Sequence, residues 1–187
     1  MDALLQTFLG HALDRLVRAQ HDRHCAFRTP VLATMGLAGM PQVRTVVLRR
    51  FERSGGEVEL FTDGRSPKVA EIQANPAVSL LFWDKGANLQ VRASGQAKVG
   101  TVGADIEAAK ARLGDNVLGD YARAAPPGSP APDPEAARNV AFDVPAHFAC
   151  ITVAVDRLDV LELDRNGHNR AFFRRSVANW AGHWVVP

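Results

Sequence analysis

The spacing of apolar residues changes along the chain, and each change marks an element. Near the start, Leu4, Leu5, Phe8, Leu9, Ala12, Leu13, Leu16 and Val17 recur at helical spacing, with Asp2, Gln6, Asp14, Arg15 and Arg18 largely off that stripe. The pattern predicts an amphipathic helix over 2–19 with one face on a core. From Cys25 the period shortens. Segments 27–37, 43–50, 58–62, 77–83 and 89–99 are rich in β-favouring residues. Gly39-Met40-Pro41, Ser54-Gly55-Gly56 and the run 84–88 supply the turns between them. A short helix is predicted over 67–74, with Ser66 as N-cap, Pro67 at its first position and Asn75-Pro76 as its stop.

Beyond residue 100 the pattern predicts a helix over 105–113. Five prolines between 124 and 134 exclude a regular helix or central strand and make this stretch a loop crossing the surface. Segment 147–163 reads as one long strand or two, and 170–175 and 183–186 as closing strands. Few helices interrupt the strands, which disfavours a doubly wound parallel sheet. Short connections predict antiparallel pairing, and closure into a barrel would remove exposed edges. The expectation is a mostly β domain with flanking helices spanning 1–187, with its barrel core at 25–100 and closing strands in 147–187.

Composition narrows the function. A chain of 187 residues, 47% hydrophobic and 22% charged, suits one globular domain with its own core. A formal charge of +2 argues against a broad nucleic-acid surface and still permits a local anion pocket. Asp2, His11, Asp14 and Arg15 break any signal-peptide pattern. No uncharged apolar run is long enough to predict a membrane span. Cys25 and Cys150 lack CxxC spacing and read as reduced thiols, which fits a soluble, cytoplasmic protein. The six histidines lack metal-ligand spacing, and no nucleophile elbow, P-loop or dinucleotide-binding glycine pattern occurs. No metal is expected, and no residue is marked by its spacing as a catalytic acid or base.

The polar residues at strand ends are the candidate chemistry. Arg44 opens one strand and Thr62 ends another, while Arg65, Ser66 and Lys68 stand at the start of the short helix. Free N–H groups at a helix N-terminus, with cations beside them, suit a phosphate. Asp63 would repel an anion there unless it is paired. Trp83 and Phe82 end an apolar strand and read as core. Trp180 and Trp184 read as packing at an interface, with the wall of a cavity the alternative for Trp184.

Four segments in order carry a family resemblance: Arg44-Thr45-Val46-Val47-Leu48-Arg49; Phe61-Thr62-Asp63-Gly64-Arg65-Ser66-Pro67-Lys68; Asn75-Pro76 with Leu80-Leu81-Phe82-Trp83; and Leu89-Gln90-Val91-Arg92-Ala93-Ser94-Gly95. Together they resemble the pyridoxamine phosphate oxidase family. The resemblance is good over 25–100 and weaker at the end, where His168-Asn169-Arg170-Ala171-Phe172-Phe173-Arg174 and Trp184-Val185-Val186-Pro187 are similar to the family's closing motifs. It implies an antiparallel split β-barrel that binds flavin mononucleotide (FMN) at the interface of a homodimer and acts on a small molecule, with no nucleic acid or membrane involved. In it, Arg44 would hold the flavin phosphate and Lys68 would pair with it, beside Ser66. Val46 and Val47, between Thr45 and Leu48, would set backbone against the isoalloxazine edge. Thr62, next to Phe61, would bond to the flavin, and Gln90 would reach it from the second subunit. Arg174 would be the last flavin-contacting arginine, and Pro126-Pro127-Gly128-Ser129 would stand where the family has a phosphate-side Gln-Ser pair. Arg49, His168 and Arg170 would face the substrate.

The departures limit what is carried over. Pro67 stands where the family has a second phosphate arginine, with Arg65 as a candidate replacement two residues earlier. Arg49 replaces a lysine, which keeps the charge and changes the geometry. Phe172 stands in place of a substrate histidine. Flavin binding survives these changes better than vitamin B6 binding, so the expectation is an FMN oxidoreductase of unassigned substrate. A non-catalytic flavin-binding, storage or regulatory module is the alternative, as is a split barrel for a deazaflavin or heme. Retention of Arg44, Thr62, Lys68 and Gln90 together favours FMN.

Overall fold

The Asp2 carboxylate accepts the Leu5 N–H at 2.7 Å and starts helix α1, Ala3–His21. Its buried face carries Leu5, Phe8, Leu9, Ala12, Leu13 and Leu16, as the spacing predicts. The computed structural model describes residues 1–113, 121–138, 147–176 and 179–187. The strands are β1 (Val31–Met35), β2 (Pro41–Thr45), β3 (Leu48–Glu52), β4 (Glu57–Asp63), β5 (Ala77–Asp84), β6 (Leu89–Gly100), β7 (Phe148–Glu162), β8 (Asn169–Ser176) and β9 (Asn179–Trp184). Helix α2 (Pro67–Ala74) falls on the predicted residues, and α3 (Ala104–Ala111) within one or two of them. No helix among the described residues is long and apolar enough to cross a membrane.

Every pairing is antiparallel, in the order β2-β1-β5-β6-β7-β4-β3. The two ends of that order, β2 and β3, are consecutive in the chain. The sheet therefore curls round until its edges meet at residues 46–47 without pairing, which makes the barrel split. The predicted single strand 43–50 is corrected here. It breaks after Val46, whose N–H donates to the Pro30 carbonyl at 2.9 Å in register with the β1–β2 ladder; from Leu48 the chain pairs with β4 instead. Segment 27–37 is also shorter than predicted, since a 3-10 turn occupies Ala26–Arg28 and Pro30 delays the strand. The last strand begins earlier than the predicted 183, because Ala181 and Gly182 hide a strand of low intrinsic propensity.

Strand β7 is one strand with two neighbours on one edge. Residues 148–154 pair with β4 and residues 157–162 with β8. The switch falls at a bulge where Ser94 pairs with Arg157 but Gly95 pairs with Val155. Gly95 is required there. A Cβ on it would stand 2.8 Å from the Ala154 carbonyl carbon and 2.9 Å from the Val155 Cα. The barrel interior holds Leu32, Leu48, Val58, Leu60, Leu80, Phe82, Val91, Ile151, Val153 and Val160, capped by α1 and by Phe27, whose ring lies 5.3 Å from that of Phe82. A smaller cluster of Ile106, Ala109, Phe148 and Cys150 packs α3 on the outside of β7.

Candidate functional site

Alternation along the strands decides which face each predicted residue takes. Thr34 lies on the inner side of β1 with Leu32, and Arg44 is the register partner of Leu32 on β2. Thr62 follows Val58 and Leu60 on the inner side of β4. Helix α2 starts just beyond β4. These elements bring Arg44, Thr62, Ser66 and Lys68 to one end of the barrel. Lys68 Nζ donates to Ser66 Oγ at 2.6 Å and to Thr62 Oγ1 at 3.1 Å. Both hydroxyl residues are buried, and Lys68 makes no ion pair among the described residues. Burial, and then the nearby Arg44 guanidinium, lower the Lys68 pKa from its ordinary 10.5. Among the described residues this half-buried ammonium bonds neutral hydroxyls alone, beside an Arg44 already paired with Glu71, which leaves it able to take a phosphate.

Two residues at this cradle escaped the sequence reading. Arg44 donates from Nη1 to Thr34 Oγ1 and from Nη2 to Glu71 Oε2 at 2.8 Å. Thr34 in turn donates to the same Glu71 oxygen at 2.5 Å. Lys68 and Glu71 are three residues apart on α2, a spacing that places them on one side of a helix. That spacing was the available signal.

Arg65 is not at the cradle. Its Nε and Nη2 bond the two Asp63 carboxylate oxygens at 3.0 and 2.7 Å, and Nη2 and Nη1 also reach the carbonyls of Arg123 at 2.7 Å and Ala124 at 3.2 Å. The expected replacement for the missing arginine at Pro67 is thus corrected: Arg65 is committed to tying the proline-rich loop to the end of β4. The concern over Asp63 is answered by the same pairing. Burial alone would raise its pKa, and the Arg65 hydrogen bonds outweigh that and hold it below the usual 3.8.

Arg49 and Phe61 also stand apart from the cradle. The β3–β4 register shifts between Leu48 and Arg50, and this bulge turns Arg49 to the outer side of β4. There its guanidinium lies 5.6 Å from the Phe61 ring centroid, and Nη2 reaches Tyr121 Oη at 3.4 Å. Its Nε is buried and has no partner among the described residues. Phe61 is on the face of β4 opposite Thr62, against Phe148 with ring centroids 5.0 Å apart. Of the strand-linking residues, Thr45 is exposed, Leu48 is fully buried in the core, and the Val46 N–H is already taken by Pro30. Val46 and Val47 are half-buried at the seam.

The remaining predicted residues lie on the outer face of the β5–β9 part of the sheet. Gln90 alternates with buried Leu89 and Val91 and faces outward. Arg170 and Arg174 face outward on β8. Arg170 binds Asp159 through Nε at 3.0 Å and Nη2 at 2.9 Å, and Arg92 binds the same carboxylate. Burial raises the Asp159 pKa, and the Arg170 and Arg92 bonds more than reverse it. Arg174 is exposed beside a groove of about 950 Å³ whose walls include Met35, Arg92, Asp159, Phe172 and His183. His168 is an exposed loop residue whose Nδ1 accepts the Asp164 N–H at 3.3 Å. Trp83, expected in the core, is corrected to this face at 42% exposed, because Phe82 takes the inward position. Trp184 stacks on Phe8 with centroids 5.1 Å apart.

Comparison with known proteins bears on this arrangement. Residues 10–101 match the family described as "Pyridoxamine 5′-phosphate oxidase, FMN-binding domain". A pyridoxine/pyridoxamine 5′-phosphate oxidase of Granulibacter bethesdensis is 30% identical over 175 residues, covering 83% of this chain and 79% of that protein. The enzyme of the same name from Xylella fastidiosa is 44% identical over 69 residues, so the match spans only 32% of that relative's length and 35% of this chain. Among solved structures, a pyridoxamine 5′-phosphate oxidase-related FMN binding protein from Nostoc punctiforme superposes with a TM-score of 0.79 at 22% identity, covering 95% of this chain and 96% of that one. PhzG from Burkholderia lata, in complex with tetrahydrophenazine-1-carboxylic acid, gives 0.71 at 20% identity, covering 98% and 91%. The structural likenesses establish the split-barrel fold, and the Granulibacter match over most of both chains establishes the lineage: this chain belongs to the pyridoxamine 5′-phosphate oxidase FMN-binding family.

Proposed function

We propose that this protein binds FMN and works as a flavin-dependent oxidoreductase on a small molecule, as a homodimer. The observation that carries this reading is the cradle at the start of α2. Lys68, Arg44, Thr62 and Ser66 converge there, and among the described residues the ammonium has only neutral hydroxyls as partners. The donor set fits a phosphate: two cations and two hydroxyls at the start of a helix. Bound FMN would supply a ring that accepts and returns a hydride. The chain would supply phosphate anchoring through Lys68 and Arg44, and orientation along the Val46–Val47 seam.

The dimer reading is supported by where the other expected contacts sit. Gln90 and Arg174 are on the outer face, whereas the cradle opens at the inner end of the barrel. The two sets point to opposite faces of the sheet, which supports a second copy presenting its outer face to the first copy's cradle. Met35, Trp83 and Phe172 leave apolar surface on that face, at 40%, 42% and 38% exposure. Arg49, over Phe61 with its buried Nε unpaired among the described residues, offers a seat for an anionic group of the substrate. Free Cys25 and Cys150 suit a reducing cytoplasmic setting.

The test is flavin uptake. Protein stripped of small molecules is mixed with FMN and passed through gel filtration with light scattering. Yellow flavin absorbance co-eluting with a mass of twice 20.2 kDa is the expected result. Colourless protein after saturating FMN would refute the cofactor, and a flavin-loaded monomer would refute the shared site.

A further inference from the structure

We propose that Glu71 and Thr34 are positioning residues for the flavin phosphate: they hold the Arg44 guanidinium in place so that its unclaimed N–H groups form one wall of the cradle. The proposal rests on the FMN reading above.

The three side chains form a closed ring of hydrogen bonds. Arg44 donates to Thr34 and to Glu71 Oε2 at 2.8 Å, and Thr34 donates to that same oxygen at 2.5 Å. They come from β2, β1 and α2, so the ring ties together the three elements around the cradle. Thr34 and Glu71 are only 5% and 6% exposed. A carboxylate buried that deeply is costly unless paired, and bonds to one Glu71 oxygen and to the Thr34 hydroxyl held by that oxygen leave the guanidinium little freedom. A guanidinium carries five N–H donors. The ring engages one on each terminal nitrogen, and no other partner of Arg44 occurs among the described residues. The Arg44 side chain keeps 23% exposure against 8% for Glu71, so the cation lies between the buried carboxylate and the open cradle. Glu71 also balances charge. It allows Arg44 and Lys68 to stand close together before any anion arrives. Fixing a cation in advance removes the ordering cost that a free arginine would incur on binding.

Titration calorimetry with FMN and riboflavin separates phosphate recognition from ring recognition. It is run on the wild-type chain, on E71A, E71Q and R44A, and on the E71A/R44A double variant. E71A is expected to weaken FMN about tenfold, the worth of a charge-assisted contact, and to change riboflavin by less than about twofold. In the R44A background, E71A should have no further effect on FMN, because Glu71 acts only through Arg44. E71Q keeps shape and one acceptor and should weaken FMN several-fold, which covers the case in which E71A does not fold. Equal losses for both flavins would mean a merely structural role and would overturn the proposal. Tighter FMN binding in E71Q would also overturn it, since the carboxylate would then be competing with phosphate. A wild-type chain that binds neither flavin would refute the FMN reading itself and this proposal with it.

Discussion

Replacing Lys68 with methionine isolates the charge at the cradle. Methionine keeps most of the stem's packing and removes the ammonium, which here bonds Ser66 at 2.6 Å and Thr62 at 3.1 Å. A unit charge about 4 Å from the phosphate contributes about 4 kcal/mol at an effective dielectric of about 20. Both groups surrender water to make that contact, so the net worth falls to the range of a charge-assisted hydrogen bond, about 1.5–3 kcal/mol. K68M should therefore weaken FMN binding by about tenfold to a hundredfold. Riboflavin, with no phosphate, should bind to both proteins alike. The apo protein should not suffer. The lost bonds to two hydroxyls are offset by relief of burial and of repulsion from Arg44, which together lower the Lys68 pKa. Quenching of flavin fluorescence gives the affinities, and thermal melting gives the stability. Equal losses for FMN and riboflavin, or an FMN affinity within about twofold of wild type, would refute the assignment of Lys68 to the phosphate.

The lowered Lys68 pKa also sets a pH dependence. FMN affinity should be full where Lys68 is protonated in the free protein, and should fall as pH rises through that depressed pKa, below the ordinary 10.5. K68R stays charged and should hold its affinity through the same window; a wild-type profile as flat as that of K68R would exclude the mechanism. Arg65→Ala leaves the Asp63 carboxylate, 5% exposed, without its guanidinium, at a cost of about 3 kcal/mol at neutral pH in urea titrations. In the wild type the Asp63 pKa is lowered, so the pair's contribution is complete above the ordinary 3.8 and is lost as pH falls through the folded value. The gap between R65A and wild type should accordingly close in acid, and a gap that does not depend on pH would count against the ion pair. Gly95→Ala forces a Cβ to within 2.8 Å of the Ala154 carbonyl carbon at the sheet's fork. It should cost about 2 kcal/mol or more and lower Tm by about 4–8 °C; an unchanged melting curve would show that the bulge relaxes freely.

Strand and helix positions were legible because their signals are local. The stripe from Leu5 to Leu16 gives α1, and Ser66-Pro67 with Asn75-Pro76 brackets α2 on its observed residues. What stayed hidden depends on partners far along the chain. Whether 43–50 is one strand or two turns on its two halves having different partners, β1 and β4. The outward turn of Arg49 turns on a bulge that no residue type announces. The role of Arg65 turns on carbonyls 58 and 59 residues away, which motif spacing does not register. Thr34 and Glu71 read as an ordinary strand threonine and an ordinary helix glutamate until β1, β2 and α2 come together.

The seam explains why a cradle forms at this end of the barrel. In a closed barrel every strand end would be engaged by two neighbours, and a cation there would compete with ladder pairing. Among the described residues β2 pairs with β1 alone, because after Val46 the chain crosses to the opposite edge of the sheet as β3. Arg44, two residues before that exit, lies on the last strand of one edge, with the open split beside it. Lys68 approaches from α2, which begins where β4 ends, four residues after Asp63. The same unpaired seam leaves room for an anion beside Arg44 and Lys68. It also leaves the inner end of one chain without the outer-face residues Gln90 and Arg174. In the proposed homodimer, a second copy would return them to the site.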